Sequence, residues 1–252
     1  MASTRRAAPQ KGHAAVILAA SGPSAYWYLT RSTGAVTLIL LTITVALGVA
    51  DVQRLSSKNW PRFVVDSLHR NVSLLAVLFL IVHVLTSVLD SFAHISLLDS
   101  LVPFIGSYRP FWLGLGALAL DLMLAITLTS LMRRRMGYST WRATHWLAYA
   151  CWPIALLHGL GTGSDVKSTW LLSLSIACLA AVLVAVLARA AAGWPGDARL
   201  RAGAVGTLGL FSLFLALWLP SGPLAANWAR RSGTPASLLG HTSHSSSSGE
   251  KR

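Results

Sequence analysis

His69, His83, His145 and His158 each fall inside an apolar run, whereas His13, His94, His241 and His244 lie between or beyond such runs. An ionisable side chain within a bilayer is costly enough that each of the four is a candidate functional residue, although any one alone can be a hydrogen-bonded packing residue. Their spacing says more. His69 and His83 are 14 residues apart, and His145 and His158 are 13 apart. A 14-residue step of helix rises about 21 Å and falls about 40° short of four turns, so both rings leave one face at two depths. The 13-residue step would leave its rings about 140° out of phase on an ideal helix. Pro153 lies between them, and a proline inside a helix removes a hydrogen bond and bends it, so a kink there is expected to restore the alignment.

With the two helices side by side and parallel, the four rings form two facing pairs, one at each depth. Two imidazoles at one depth can bind opposite faces of a haem iron, and such six-coordinate sites suit electron transfer because no position stays open for a substrate. A zinc or copper site needs three or four ligands at one depth, which this pattern does not supply. Cys151 and Cys178 both lie in apolar runs and form no paired-cysteine motif, so two haems of the non-covalent b type are the expected cofactors.

The elements that must position these rings follow from composition. Of 252 residues, 54% are hydrophobic and 12% charged, against about a quarter charged in soluble domains. Several runs approach the roughly 20 apolar residues a helix needs to cross the hydrocarbon core. Six spans are expected: Trp27 to Ala50, Phe63 to Leu89, Trp112 to Met132, Thr144 to Leu160, Ser168 to Ala192, and Ala202 to Leu219. The expected fold is an all-α integral membrane bundle of six transmembrane helices over 27–219, with the histidine sites between the second and fourth. Residues 1–26 form an N-terminal tail, and 220–252 a Ser-rich tail too polar to bury a core and expected to be disordered. The segment from Asp90 to Phe111 is expected to place a helix at the membrane interface.

The net charge of +13 is gathered in clusters between apolar runs. That distribution serves topology in a multi-pass cell-membrane protein surrounded by lipid, and points to no nucleic-acid partner. Arg54, Lys58, Arg62 and Arg70, then Arg133, Arg134, Arg135 and Arg142, then Arg189, Arg199 and Arg201 mark the first, third and fifth connections as cytoplasmic. Both termini are then extracytoplasmic, although Arg5, Arg6, Lys11 and Arg31 pull the other way. The run Ala14 to Ala20 is short and broken by Gly22 and Pro23, so it is not read as a cleaved signal peptide.

Arg70 and Arg142, with Trp141, are candidates to meet the propionates of the cytoplasmic-side haem, and Arg109, Tyr108 and Arg31 those of the outer one. Each is read equally well as an interfacial or orienting residue. Asp121, the one carboxylate deep in a span, could relay protons or fix a ligand histidine's tautomer. A reading from another class makes the chain a haem-free proton or cation transporter, or a membrane assembly protein, using the buried histidines and Asp121. Gly114 and Gly116 are expected to let helices approach closely.

The stretches "TRSTGAVTLILLTITVALG", "LHRNVSLLAVLFLIVHVLTSVLD" and "YRPFWLGLGALALDLMLAITLTSLMRRRMGYSTWRATHWLAYACWPIALLHGLGTGSD" resemble the ferric reductase-like transmembrane domain of ferric reductases and NADPH oxidases. The resemblance covers roughly Trp27 to Asp165. It implies that His69 and His145 ligate a cytoplasmic-side haem and His83 and His158 an outer one. It further implies an oxidoreductase component moving electrons from a cytoplasmic or quinol donor to an extracytoplasmic acceptor. No Gly-rich dinucleotide fingerprint follows a strand in this chain. The resemblance is therefore to stand-alone members, whose flavin, where one takes part, sits on a separate partner such as a flavin reductase.

Overall fold

Backbone polar groups in lipid must be satisfied within the chain, which drives apolar runs into helices. Every element among the described residues is a helix. The computed structural model describes residues 24–52, 62–163, 165–192 and 197–239. The N-terminal tail through residue 23, the charges at Arg54 and Lys58, and His241 and His244 lie outside them. In chain order the elements are α1 (Ala25–Val52), α2 (Arg62–Leu89), α3 (Leu97–Leu101), α4 (Pro110–Leu131), α5 (Arg133–Met136) and α6 (Tyr138–His145). There follow α7 (Ala148–Thr162), α8 (Thr169–Ala192), α9 (Ala198–Ser221), α10 (Trp228–Arg231) and α11 (Ala236–Leu239).

Five helices, α1, α2, α4, α8 and α9, are long and apolar enough to cross a membrane. They correspond to the first, second, third, fifth and sixth expected spans. The fourth is built from two pieces, α6 and α7. With 15 residues, α7 alone reaches about 22 Å, short of a core of about 30 Å. The break falls at Trp146 and Leu147, where hydrogen bonds tighten to three-residue steps: Leu147 N–H to Thr144 O at 3.0 Å, Tyr149 N–H to Trp146 O at 3.1 Å and Ala150 N–H to Leu147 O at 3.0 Å. The irregularity expected at Pro153 is thus found earlier, as an interruption at Trp146 and Leu147, and α7 continues through the proline. Proline crowds the carbonyl four residues before it, here that of Tyr149, so the chain yields in the turn ahead of Pro153.

Helix α1 packs along α2 and also meets α7 and α8, α4 packs on α7, and α9 rests on α8. The core between them gathers Leu41, Ala76, Ala119, Met123, Cys151, Trp152, Leu156 and Leu160. The buried threonines of α1 reach back to their own helix: Thr33 Oγ1 donates to Leu29 O at 2.6 Å, Thr37 Oγ1 to Thr33 O at 2.7 Å and Thr42 Oγ1 to Leu38 O at 2.8 Å. Hydroxyls satisfied this way can face an apolar interior. Thr42 Oγ1 also accepts from the buried Trp152 indole at 2.9 Å, tying α7 to α1.

At the end of the bundle nearer His83, the expected interfacial segment carries α3. A capping box starts it: Ser96 Oγ accepts from Asp99 N–H at 3.2 Å while Ser96 N–H donates to Asp99 Oδ2 at 2.9 Å. Leu97, Leu98 and Leu101 are exposed on it, as suits a helix lying at a lipid boundary. The chain after Ser221, expected to be structureless, is ordered as far as Leu239 and folds back over this end. Tryptophans supply the apolar surface that composition alone understated. Trp112 stacks on Trp218 with centroids 4.9 Å apart, and Trp228 joins both. The Trp228 indole donates to Gly161 O at 3.1 Å.

Candidate functional site

The four histidines meet in the pairs expected from their depths. Ring centroids of His69 and His145 are 6.2 Å apart, and those of His83 and His158 are 6.3 Å apart. An imidazole–metal bond is about 2 Å and the centroid lies about 1.1 Å behind its nitrogen, so two rings on opposite sides of one metal have centroids about 6.2 Å apart. Both pairs therefore have the separation of rings that share one axial metal. Among the described residues no group of three or more His, Cys, Asp or Glu side chains converges, which leaves two-ligand chemistry.

Backbone carbonyls set the tautomers. His69 Nδ1–H donates to Thr44 O at 3.1 Å, His83 Nδ1–H to Thr30 O at 2.8 Å, and His158 Nδ1–H to Trp112 O at 2.9 Å. A carbonyl can only accept, so each neutral ring keeps its proton on Nδ1 and presents the Nε2 lone pair to a metal.

Beside each of these carbonyls, one turn further along, stands a glycine under the same ring. A Cβ on Gly34 would come 2.9 Å from His83 Cε1, one on Gly48 would come 3.4 Å from His69 Cε1, and one on Gly116 would come 2.4 Å from His158 Cε1. On α1 the arrangement repeats: Thr30 with Gly34 serves His83, and Thr44 with Gly48 serves His69, a shift of 14 residues in both. That shift equals the step between the two histidines of α2, so α1 runs antiparallel to α2 and reads it at both depths. The hydroxyls of Thr30 and Thr44 are buried and lack a hydrogen-bond partner. Facing rings, free Nε2 positions and glycine cradles fit a planar group held edge-in between the helices.

Around His83 and His158 lies a cavity of about 260 Å³, walled by Leu38, Leu80, Leu120 and Met123 and lined also by Trp27, Arg31 and Tyr108. Arg31 pairs with Asp165 and lies 3.6 Å over the Trp27 ring. Arg31 and Tyr108 thus line this cavity, and Arg109 is not among its lining residues. Only 4% exposed, it donates to Gly161 O at 3.1 Å, Thr162 O at 2.9 Å and Thr234 Oγ1 at 3.0 Å. Its charge caps the negative end of the α7 dipole, an attraction that outweighs a position at the cavity. At the other end Arg70 and Arg142 are exposed, and the Trp141 ring stacks on His145 with centroids 5.1 Å apart. Carbonyls, and not Asp121, take Nδ1 of His69, His83 and His158, and Asp121 does not bond Nδ1 of His145 either.

The cradle glycines Gly34 and Gly48 and the accepting carbonyls of Thr30 and Thr44 were not singled out from the sequence; their shared 14-residue interval was the available signal. Gly116 was expected to permit close approach, and it does so against His158 itself.

A helical membrane bundle with two facing histidine pairs between its second and fourth spans defines a class of membrane redox component. The chain belongs to the family described as ferric reductase like transmembrane component, whose model matches residues 33–158. That stretch contains all four paired histidines and the three cradle glycines. Over 134 residues, 52% of the chain, it is 33% identical to the protein-methionine-sulfoxide reductase heme-binding subunit MsrQ of Herminiimonas arsenicoxydans, covering 56% of that protein. It is 34% identical over 134 residues to the subunit of the same name from Ralstonia nicotianae, covering 57% of it. The chain thus spans about half the length of these curated relatives. No solved structure matches.

Proposed function

We propose that the chain conducts electrons across the membrane between two b-type haems, one held by His69 and His145 and the other by His83 and His158. The observation that carries this reading is the pair of inter-ring distances, 6.2 and 6.3 Å, at two depths on the same helices. Haem, held by these histidine pairs, would supply one-electron chemistry. The chain's own residues do the rest. Thr30, Thr44 and Trp112 hold protons on Nδ1 and keep Nε2 free, the glycines make room, and the leucines around His83 and His158 keep water away from that pair.

The arginine-rich third connection, beside His145, marks that end as the cytoplasmic, electron-receiving side, with a flavin reductase or quinol as donor. The His83 end then faces an extracytoplasmic acceptor. The relatives' name supports a separate reductase subunit as that acceptor, one acting on methionine sulfoxide in proteins. Each sulfoxide consumes two electrons and two protons and yields thioether and water, so the conduit must deliver two single electrons in succession.

The test is a dithionite-reduced minus oxidised absorption spectrum of the purified chain, with haem quantified per protein. A b-type spectrum with two haems per chain is expected. His83→Ala and His158→Ala should each lose about one haem. Full retention of both in these variants would overturn the proposal.

A further inference from the structure

Three of the four paired histidines are held in the same way, and the fourth is not. Besides its carbonyl partner and glycine, each of the three has a hydroxyl four residues on that bonds its own main-chain oxygen. Ser73 Oγ donates to His69 O at 2.6 Å, Ser87 Oγ to His83 O at 2.7 Å and Thr162 Oγ1 to His158 O at 2.7 Å. His145 has none of these. Its Nδ1 is buried without a partner, Tyr149 stands where the hydroxyl would be, and it is the last residue of α6, at the break in the fourth span.

Along α7 the anchoring is regular: Trp112 O receives His158 Nδ1–H, and seven residues along in each direction Ala119 O receives Cys151 Sγ–H at 3.5 Å. His145 precedes that helix, on the far side of the tightened turn at Trp146 and Leu147, and no main-chain oxygen reaches its Nδ1.

We infer that His145 is the loosely anchored ligand, and that the His69/His145 centre releases haem more readily and has the higher potential of the two. This rests on the proposed pair of haems. A carbonyl accepting from Nδ1–H makes an imidazole a stronger donor to ferric iron, and the loss of such outer partners alters metal affinity by roughly 10- to 100-fold.

Transfer of haem from the purified full chain to excess apomyoglobin tests it. Two phases of equal amplitude are expected, separated by roughly 10- to 100-fold in rate. His145→Ala should lack the fast phase and keep the slow one. Potentiometric titration of the full chain should show two midpoints, and His145→Ala should lose the higher one. Equal release rates would overturn the inference while leaving the two-haem reading intact. So would a His145→Ala chain that keeps the higher midpoint. A chain that binds no haem would overturn the reading beneath it as well.

Discussion

Trp112 and His158, 46 residues apart in the chain, are joined by a 2.9 Å hydrogen bond from the imidazole Nδ1 to the tryptophan carbonyl. The bond comes from main chain, so no side-chain substitution at Trp112 removes it directly. What a substitution can remove is the space beside it, which Gly116 supplies.

Gly116→Ala should displace the His158 ring, because the new Cβ would lie 2.4 Å from its Cε1 in a helix that cannot retreat. The expected outcome is loss of about one haem per chain in a pyridine haemochrome assay. Gly34→Ala, at 2.9 Å from His83, should do likewise. Gly206→Ala, on α9, meets nothing within 4 Å, and should retain the full complement.

Arg109→Leu should destabilise the fold without emptying either centre. The substitution removes the charged donor from the carbonyls of Gly161, which keeps its bond from Trp228, and of Thr162, and hydrogen bonds to a charged donor contribute about 1.5–3 kcal/mol each. A thermal midpoint well below that of the parent is expected in detergent, with unchanged haem content and potentials in fresh protein. A shifted potential would mean that the guanidinium serves a propionate after all.

Trp152→Phe should cost about 1 kcal/mol, the worth of one neutral hydrogen bond, since Thr42 keeps its own bond to Leu38 O. Trp152→Ala should cost about 3–5 kcal/mol, because the ring is only 3% exposed and its removal leaves a cavity. Denaturant titration of the two variants in one detergent measures the ratio.

A cysteine placed at Arg135 should react with a membrane-impermeant maleimide only after cells are opened, while one at Leu98 should react in intact cells. Positive connections are retained in the cytoplasm, and Arg135 and Leu98 lie at opposite ends of the bundle. The reverse labelling pattern would invert the direction assigned to electron flow.

The histidine pairing was readable before any coordinates because polar rings in apolar runs are rare, and because two helices separated by one other must run parallel. The five unbroken spans were readable from length and hydropathy. The site of the interruption was not, since Pro153 announces a defect without saying that the turn at Trp146 absorbs it. The main-chain partners of Arg109 were not readable, because nearness in sequence says nothing about which acceptors lie closer in space. The ordered stretch after Ser221 was hidden by its Ser, Gly and Pro content, which outweighs a single Trp228 in any window average. The Thr–Gly interval on α1 was fully present in the letters. It acquires meaning only when laid antiparallel against α2.

That interval makes α1 a gauge rod. Thr30 and Thr44 reach rings at the two ends of α2 from one uninterrupted helix, so a slide of even one residue, about 1.5 Å, unseats both together. One residue inserted between Gly34 and Thr44 would leave the rod able to engage either end and never both. The tolerance of this bundle to length change is therefore smallest in a helix that contributes no ligand.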